Sequence, residues 1–300
     1  MKQKSWLPAY LALGLVWGCS FIFIKLGLEF LTPFGVAFGR CALGALALFI
    51  YVKIKKIQLP TDKRIWLKLW IVALLLNVIP GILFAYAELH VTSVLAGIIN
   101  ATTPFATILV MLLAFREEKL KIEQVLGLIL GGIGVLVVLG IWNGIGDNQL
   151  TGVIALLVAV TCYGISFPYT KKSIIPLGLK PEALATTQLI TAAATLLPFY
   201  LYDGIADDKY EIGPVLAMIA LGVFGSGFAY IWNFKIIAAA GSSIASSVTY
   251  LTPVVAVIVG WLFLAESITW HEPAGAVLVI IGAAWSQGRF NEIFNRRASI

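Results

Sequence analysis

Charge is what this chain has least of. Only 12% of its 300 residues are Asp, Glu, Lys or Arg, while 60% are hydrophobic and the mean hydropathy is +0.95. A water-soluble domain carries roughly 25% charged residues, so this sequence cannot cover a globular surface in water. Cysteine is nearly absent. Cys19, Cys41 and Cys162 show no metal or redox spacing and are read as small core residues. The two histidines, His90 and His271, make no metal set. A Gly-rich Lys-Ser/Thr phosphate loop is missing, as is any nucleophile–base–orienter trio. These absences disfavour ATP-driven pumping and catalysis. The chain is read as a non-enzyme that needs no cofactor.

What is present is a series of apolar blocks, each near the roughly 20 residues that cross a hydrocarbon core. They fall at 7–27, 33–52, 66–87, 93–115, 123–141, 151–171, 182–202, 213–235, 243–265 and 272–288. The spacing predicts an all-α polytopic membrane protein with ten transmembrane helices. In the first block, Cys19 raises the alternative of a lipoprotein leader. Bulky Trp17 just before Gly18-Cys19, and the apolar residues after it, argue for a retained span instead.

The +6 net charge is a matter of placement. With the N-terminus inside, the inner connections gather 18 of the 21 Lys and Arg residues, from Lys2 and Lys4 through Lys53, Lys55 and Lys56 to Arg296 and Arg297. That bias orients both termini toward the cytoplasm of a bacterial inner membrane. The basic loops are read as topology and lipid-headgroup contact, not as a nucleic-acid surface.

The chain also repeats itself. Trp17-Gly18-x-Ser20-Phe21-x3-Lys25 returns as Tyr163-Gly164-x-Ser166-Phe167-x3-Lys171. Pro33 and Arg40 align with Pro181 and Gln188. Thr103-Pro104, followed by Glu117, aligns with Thr252-Pro253, followed by Glu266. Gly127 and Gly134 align with Gly275 and Gly282. Four landmarks in one order at near-constant spacing indicate duplication, with halves at 1–146 and 147–300. Five spans per half is odd, so the second copy enters the bilayer from the other side. Two inverted five-helix repeats are a construction of secondary transporters, with the substrate site between them near the midplane. Duplication kept for packing alone is the competing reading.

Polar side chains in lipid should face protein or a wet cavity. Ser93, Ala96, Asn100, Thr103 and Thr107 recur at helical steps, and Ser242, Ala245, Thr249, Thr252 and Ala256 repeat the stripe. Tyr163, Ser166 and Thr170 share a face that matches Trp17, Ser20 and Ile24. Asn77 is matched by Ser226, whose face continues through Tyr230 to Asn233. These faces are expected to converge on one cavity, with Trp17 and Tyr163 as mid-span rings. Ser93, Ser242, Ser246 and the Gly127/Gly131 spacing fit helix–helix glue instead. Pro104 and Pro253 are expected to break a mid-span hydrogen bond as hinges or as static kinks; Pro80-Gly81 and Pro168 add weaker points. Arg40 lies well inside a span. It either neutralises a substrate carboxylate or anchors to Glu29, Glu88 or backbone carbonyls. No Asp or Glu stands in the middle of any predicted span.

The first-span WGxSFxxxK phrase, Pro33, Arg40, the two Thr-Pro pairs, Glu117 and Glu266 together resemble the EamA-like branch of the drug/metabolite transporter superfamily, over about residues 7–288. The resemblance implies a central cavity from spans one to four and six to nine, with spans five and ten packed outside. It also implies export of amino acids and other small metabolites, in some members by exchange or facilitated movement. Gln188 in place of the Arg40 equivalent and Tyr163 in place of Trp depart from strict symmetry and predict an asymmetric cavity.

The expectation is therefore a carrier for a small-molecule substrate, embedded in the lipid bilayer and working by alternating access. A monomer suffices for it, and a homodimer is compatible with it. Efflux of drugs or other hydrophobic metabolites is the alternative cargo. A membrane enzyme or lipid-processing scaffold, using Glu88 with His90 or His271 with Glu272, is the alternative class.

Overall fold

The computed structural model describes residues 6–91, 93–115, 121–138, 142, 150–206, 211–264 and 270–286. The helices are α1 (Leu7–Gly27), α2 (Pro33–Ile54), α3 (Lys63–Ala73), α4 (Ile79–Glu88), α5 (Ser93–Asn100), α6 (Thr103–Leu113) and α7 (Ile122–Val138), followed by α8 (Leu150–Ser173), α9 (Pro181–Asp203), α10 (Ile212–Ala220), α11 (Ala229–Ala240), α12 (Ser242–Ser246), α13 (Leu251–Leu264) and α14 (His271–Ser286). Among the described residues there is no strand, only the isolated antiparallel bridge Leu31–Ile205.

Six helical runs are long and apolar enough to cross a membrane: Leu7–Gly27, Pro33–Ile54, Lys63–Glu88, Leu150–Leu177, Pro181–Asp203 and Ile212–Ala240. Each falls on a predicted span. The other four predicted spans coincide with helices that are shorter (α7, α14) or interrupted (α5–α6, α12–α13). Local chemistry sets several boundaries. Pro33 opens α2, and the Thr32 hydroxyl accepts from the Gly35 amide at 3.3 Å. Asp62 accepts from the Arg64 amide at 2.8 Å to start α3. Lys56 turns left-handed (φ 51) after α2, so that Ile57 N–H reaches Val52 O at 2.8 Å.

Two long runs change pitch in the same place. A π-helical stretch, Leu74–Val78, joins α3 to α4, and another, Leu221–Phe228, joins α10 to α11. They contain Asn77 and Ser226, residues matched in the sequence repeat. Such wide turns displace backbone groups from the regular ladder and often mark functional sites.

Packing is likewise matched between the halves. Helix α1 lies on α13 as α8 lies on α6; α2 meets the 221–228 stretch as α9 meets the 74–78 stretch; α1 contacts α10 and α11 as α8 contacts α4. The repeated glycine explains the first of these matches. A methyl on Gly18 would strike Val255, and one on Gly164 would come within 2.8 Å of Ala106. Helices α7 and α14 pack on each other through Gly131, Gly134 and Gly282; a methyl on Gly134 would meet Val279 N at 2.6 Å. The largest apolar core lies where α2, α3, α9 and α11 meet, around Cys41, Leu48, Leu69, Leu189 and Phe234.

The expectation for the prolines is corrected. Pro104 stands in the first turn of α6, after a break at 101–102, and Pro253 is in the first turn of α13, after the 3-10 turn Ser247–Tyr250. A missing N–H at a helix start costs little, so neither residue breaks a helix interior. The reason is local: the chain has already left the α-helix before each proline arrives. Glu117 and Glu266 lie outside the described residues.

Candidate functional site

The broken and widened segments surround one cavity of about 50 Å3, smaller than the roughly 300–1,000 Å3 of small-ligand pockets. Its wall draws on both halves: Trp17, Ser20, Phe21 and Ile24 from α1, Arg40 from α2, Leu76 and Phe84 from the third run, and Asn100 at the end of α5. From the second half come Tyr163 and Phe167 of α8, Tyr230 of α11, and Thr249.

Hydrogen bonds across the halves fix this wall. Trp17 Nε1 donates to Gly225 O at 3.2 Å, and its ring meets Tyr230 edge-on at 6.2 Å. Tyr230 in turn donates to Leu76 O at 3.2 Å. Both carbonyls belong to the π-helical stretches, so these stretches hold the aromatic wall in place. Phe84 stacks on Tyr163 at 5.7 Å and tilts against Phe21 at 6.1 Å. Asn100 Nδ2 donates to Thr252 Oγ1 at 3.4 Å, joining the two interrupted runs.

Arg40 is buried, 8% exposed, and its Nε donates to Ser226 Oγ at 3.0 Å. Among the described residues that is its one side-chain hydrogen bond, and no Asp or Glu pairs with it; an ion pair joins Lys235 to Glu182 at 3.3 Å, and neither residue lines the cavity. Anchoring to Glu29 or Glu88 is therefore not what holds Arg40. Its counterpart Gln188 makes the equivalent reach in the other half, donating from Nε2 to Asn77 Oδ1 at 2.5 Å. That pair sits behind the wall, with Asn77 Nδ2 and Gln188 Oε1 lacking partners. One side of the molecule thus presents a cation and the other a neutral amide pair.

Of the ten residues expected to bind substrate, the structure brings Trp17, Arg40, Asn100, Tyr163, Tyr230 and Thr249 to the cavity wall. It does not bring the other four. Asn77 is turned to Gln188. Thr103 is fully buried and donates to Asn100 O at 2.6 Å, and Ser166 donates to Tyr163 O at 2.8 Å. Asn233 is buried away from the wall, with Oδ1 unpartnered. The predicted stripe through Asn100, Thr103 and Thr107 fails because it assumes one continuous helix; the break at 101–102 leaves only Asn100 on the cavity. Sequence reasoning missed Leu76 and Phe84 as wall residues: two apolar side chains in an apolar span carry no signal. Phe21 and Phe167 stood within the repeated phrase, which was their signal.

The cavity wall therefore presents rings together with a guanidinium, an amide and hydroxyls. Comparisons with known proteins agree with that reading of the architecture. The model of the EamA-like transporter family matches twice, at residues 4–140 and 150–286. Relatives include the uncharacterized transporter YoaV of Bacillus subtilis, 24% identical over 91% of this chain and 93% of that protein. Protein PagO of Salmonella typhimurium is 25% identical over 94% and 92%. The uncharacterized inner membrane transporter YedA of Escherichia coli K12 is 26% identical over 87% and 84%. A solved crystal structure shares the fold, with a TM-score of 0.73 at 19% identity over 93% of this chain and 98% of the other. With two tandem matches spanning most of its length, the chain belongs to the EamA-like transporter family, as a multi-pass membrane protein on that family's two-repeat plan.

Proposed function

We propose that the protein is a secondary transporter of the bacterial inner membrane, exporting amino acids or related small metabolites by alternating access. The repeats, 1–146 and 147–300, are taken as antiparallel copies of five spans each, with both termini in the cytoplasm. Matched packing between the halves and the one-sided distribution of basic residues support that arrangement. Two similar packings of one unit give two states of nearly equal energy, one open to each side.

The observation that carries the reading is a buried cavity walled by both repeats and holding a cation that no carboxylate of the described residues neutralises. In this scheme Arg40 receives the cargo carboxylate, Asn100 and Thr249 offer hydrogen bonds, and Trp17, Tyr163 and Tyr230 supply stacking walls. Asn77, Thr103, Ser166 and Asn233 brace these groups from behind. Pro104 and Pro253, at the helix restarts, are the hinges about which the halves rock. The apolar part of the wall favours hydrophobic metabolites as the second choice of cargo.

The test is counterflow in proteoliposomes with labelled amino acids and nucleoside-type metabolites, with and without a proton gradient. Uptake against preloaded unlabelled compound is expected for at least one amino acid or relative, and it should fall at least tenfold in Asn100→Ala. A folded, monodisperse protein that exchanges neither any of the panel nor an amine-free carboxylate relative removes the reading.

A further inference from the structure

The charge inventory of the cavity narrows the cargo. No wall residue is acidic, and the one formal charge on the wall is the Arg40 guanidinium. A buried cation in lipid must be neutralised by something. Ser226 occupies Nε, which leaves the two terminal amino groups, the pair that can fork end-on onto a carboxylate. The position is specific to one half, because the equivalent Gln188 is neutral and turned to Asn77.

A cargo with one carboxylate and no amine brings the site to zero net charge. An amino-acid zwitterion leaves it at one positive charge and places an ammonium near a guanidinium. An amine alone doubles the positive charge. The hydroxyls of Ser20, Thr249 and Tyr230 do not change this order: they donate to backbone carbonyls, at 3.0 Å to Val16 O, 2.9 Å to Ser246 O and 3.2 Å to Leu76 O. Apart from Ile24, Leu76 and the neutral Asn100 amide, the rest of the wall is rings. Trp17, Phe21, Phe84, Tyr163, Phe167 and Tyr230 border the cavity, and the stacked Phe84–Tyr163 pair lies only 19° from parallel. Such a wall suits a flat apolar body.

We infer that the cargo crosses as a net anion: a monocarboxylate with a flat apolar body and no charged amine. The inference rests on the transporter reading above and, within its amino acids and related small metabolites, selects the amine-free carboxylates over the amino acids themselves.

Three compounds that share a phenethyl body test it: 3-phenylpropionate, phenylalanine and phenethylamine. Each is assayed for counterflow in proteoliposomes at pH 8, with protein-free vesicles subtracted to remove passive leak. The expected order is rapid exchange of 3-phenylpropionate, at least tenfold slower exchange of phenylalanine, and none of phenethylamine. Arg40→Gln, which installs the side chain found at the equivalent position 188, should abolish 3-phenylpropionate exchange. Arg40→Lys should retain part of it, as a point charge without the fork. A thermal-shift titration with 3-phenylpropionate should stabilise the native protein and not the Arg40→Gln variant, which shows separately that the variant is folded. Phenylalanine exchange as fast as that of 3-phenylpropionate overturns the inference and leaves the transporter reading standing, as does undiminished 3-phenylpropionate exchange in folded Arg40→Gln. Absence of exchange for all three and for the wider metabolite panel, in folded protein, overturns both.

Discussion

Arg40 and Gln188 occupy equivalent places in the two repeats, and each reaches a side chain in a π-helical stretch of the other half. The neutral pair permits a clean stability test. Gln188→Leu would leave Asn77 buried without its partner, at a cost of about 1–3 kcal/mol, read as a lower melting temperature in detergent. Adding Asn77→Leu should recover much of that loss, because replacing both members by apolar groups leaves no orphaned amide. At this scale the sequence was legible where polarity is expensive. Arg40, Asn100, Trp17 and Tyr230 stood out because lipid penalises them. Leu76 and Phe84 did not, since one more apolar side chain in an apolar span is indistinguishable from its lipid-facing neighbours. Asn77 and Asn233 show the opposite error: a polar residue in a membrane helix can be turned inward to another helix as readily as to a cavity.

Among helices, the repeated phrase finds its reason in backbone approach. Gly18→Val and Gly164→Val force a side chain into α13 and α6 respectively. Overpacking of this kind costs about 1–3 kcal/mol, so both variants should melt at lower temperature than the parent, whereas Gly213→Ala, with open space around it, should not. Pro104→Ala tests the helix restart. In a helix interior, gaining an N–H by removing proline would stabilise by about 3 kcal/mol. In the first turn of α6, the melting temperature should barely move. A large stabilisation would show that the break at 101–102 is absent in the bilayer. Helix positions were readable from apolar block lengths because the bilayer sets those lengths. The breaks and wide turns were not, because they depend on where a neighbouring helix supplies partners for freed backbone groups.

For the whole molecule, the arrangement of the halves can be tested directly. Lys55 and Asp203 follow the second helix of each repeat at equivalent positions, and both are exposed. Single-cysteine variants Lys55→Cys and Asp203→Cys, in a background lacking Cys19, Cys41 and Cys162, should differ in labelling by a membrane-impermeant maleimide. Asp203→Cys is expected to react from outside intact cells, and Lys55→Cys only after permeabilisation. Labelling of both from one side would refute antiparallel repeats. Duplication itself was visible in the sequence because two copies preserve the same glycine and Thr-Pro landmarks; the side chains that make the copies unlike each other decide the chemistry. The guanidinium on the cavity wall, unneutralised by any described carboxylate, then has an electrical consequence. Because it belongs to the wall and stays behind, an anion that leaves it on the far side carries a net charge across the bilayer. An interior held 100 mV negative favours that departure by about 2.3 kcal/mol per charge, roughly a fifty-fold concentration ratio. Export of such a cargo could run on membrane voltage alone, without a partner ion.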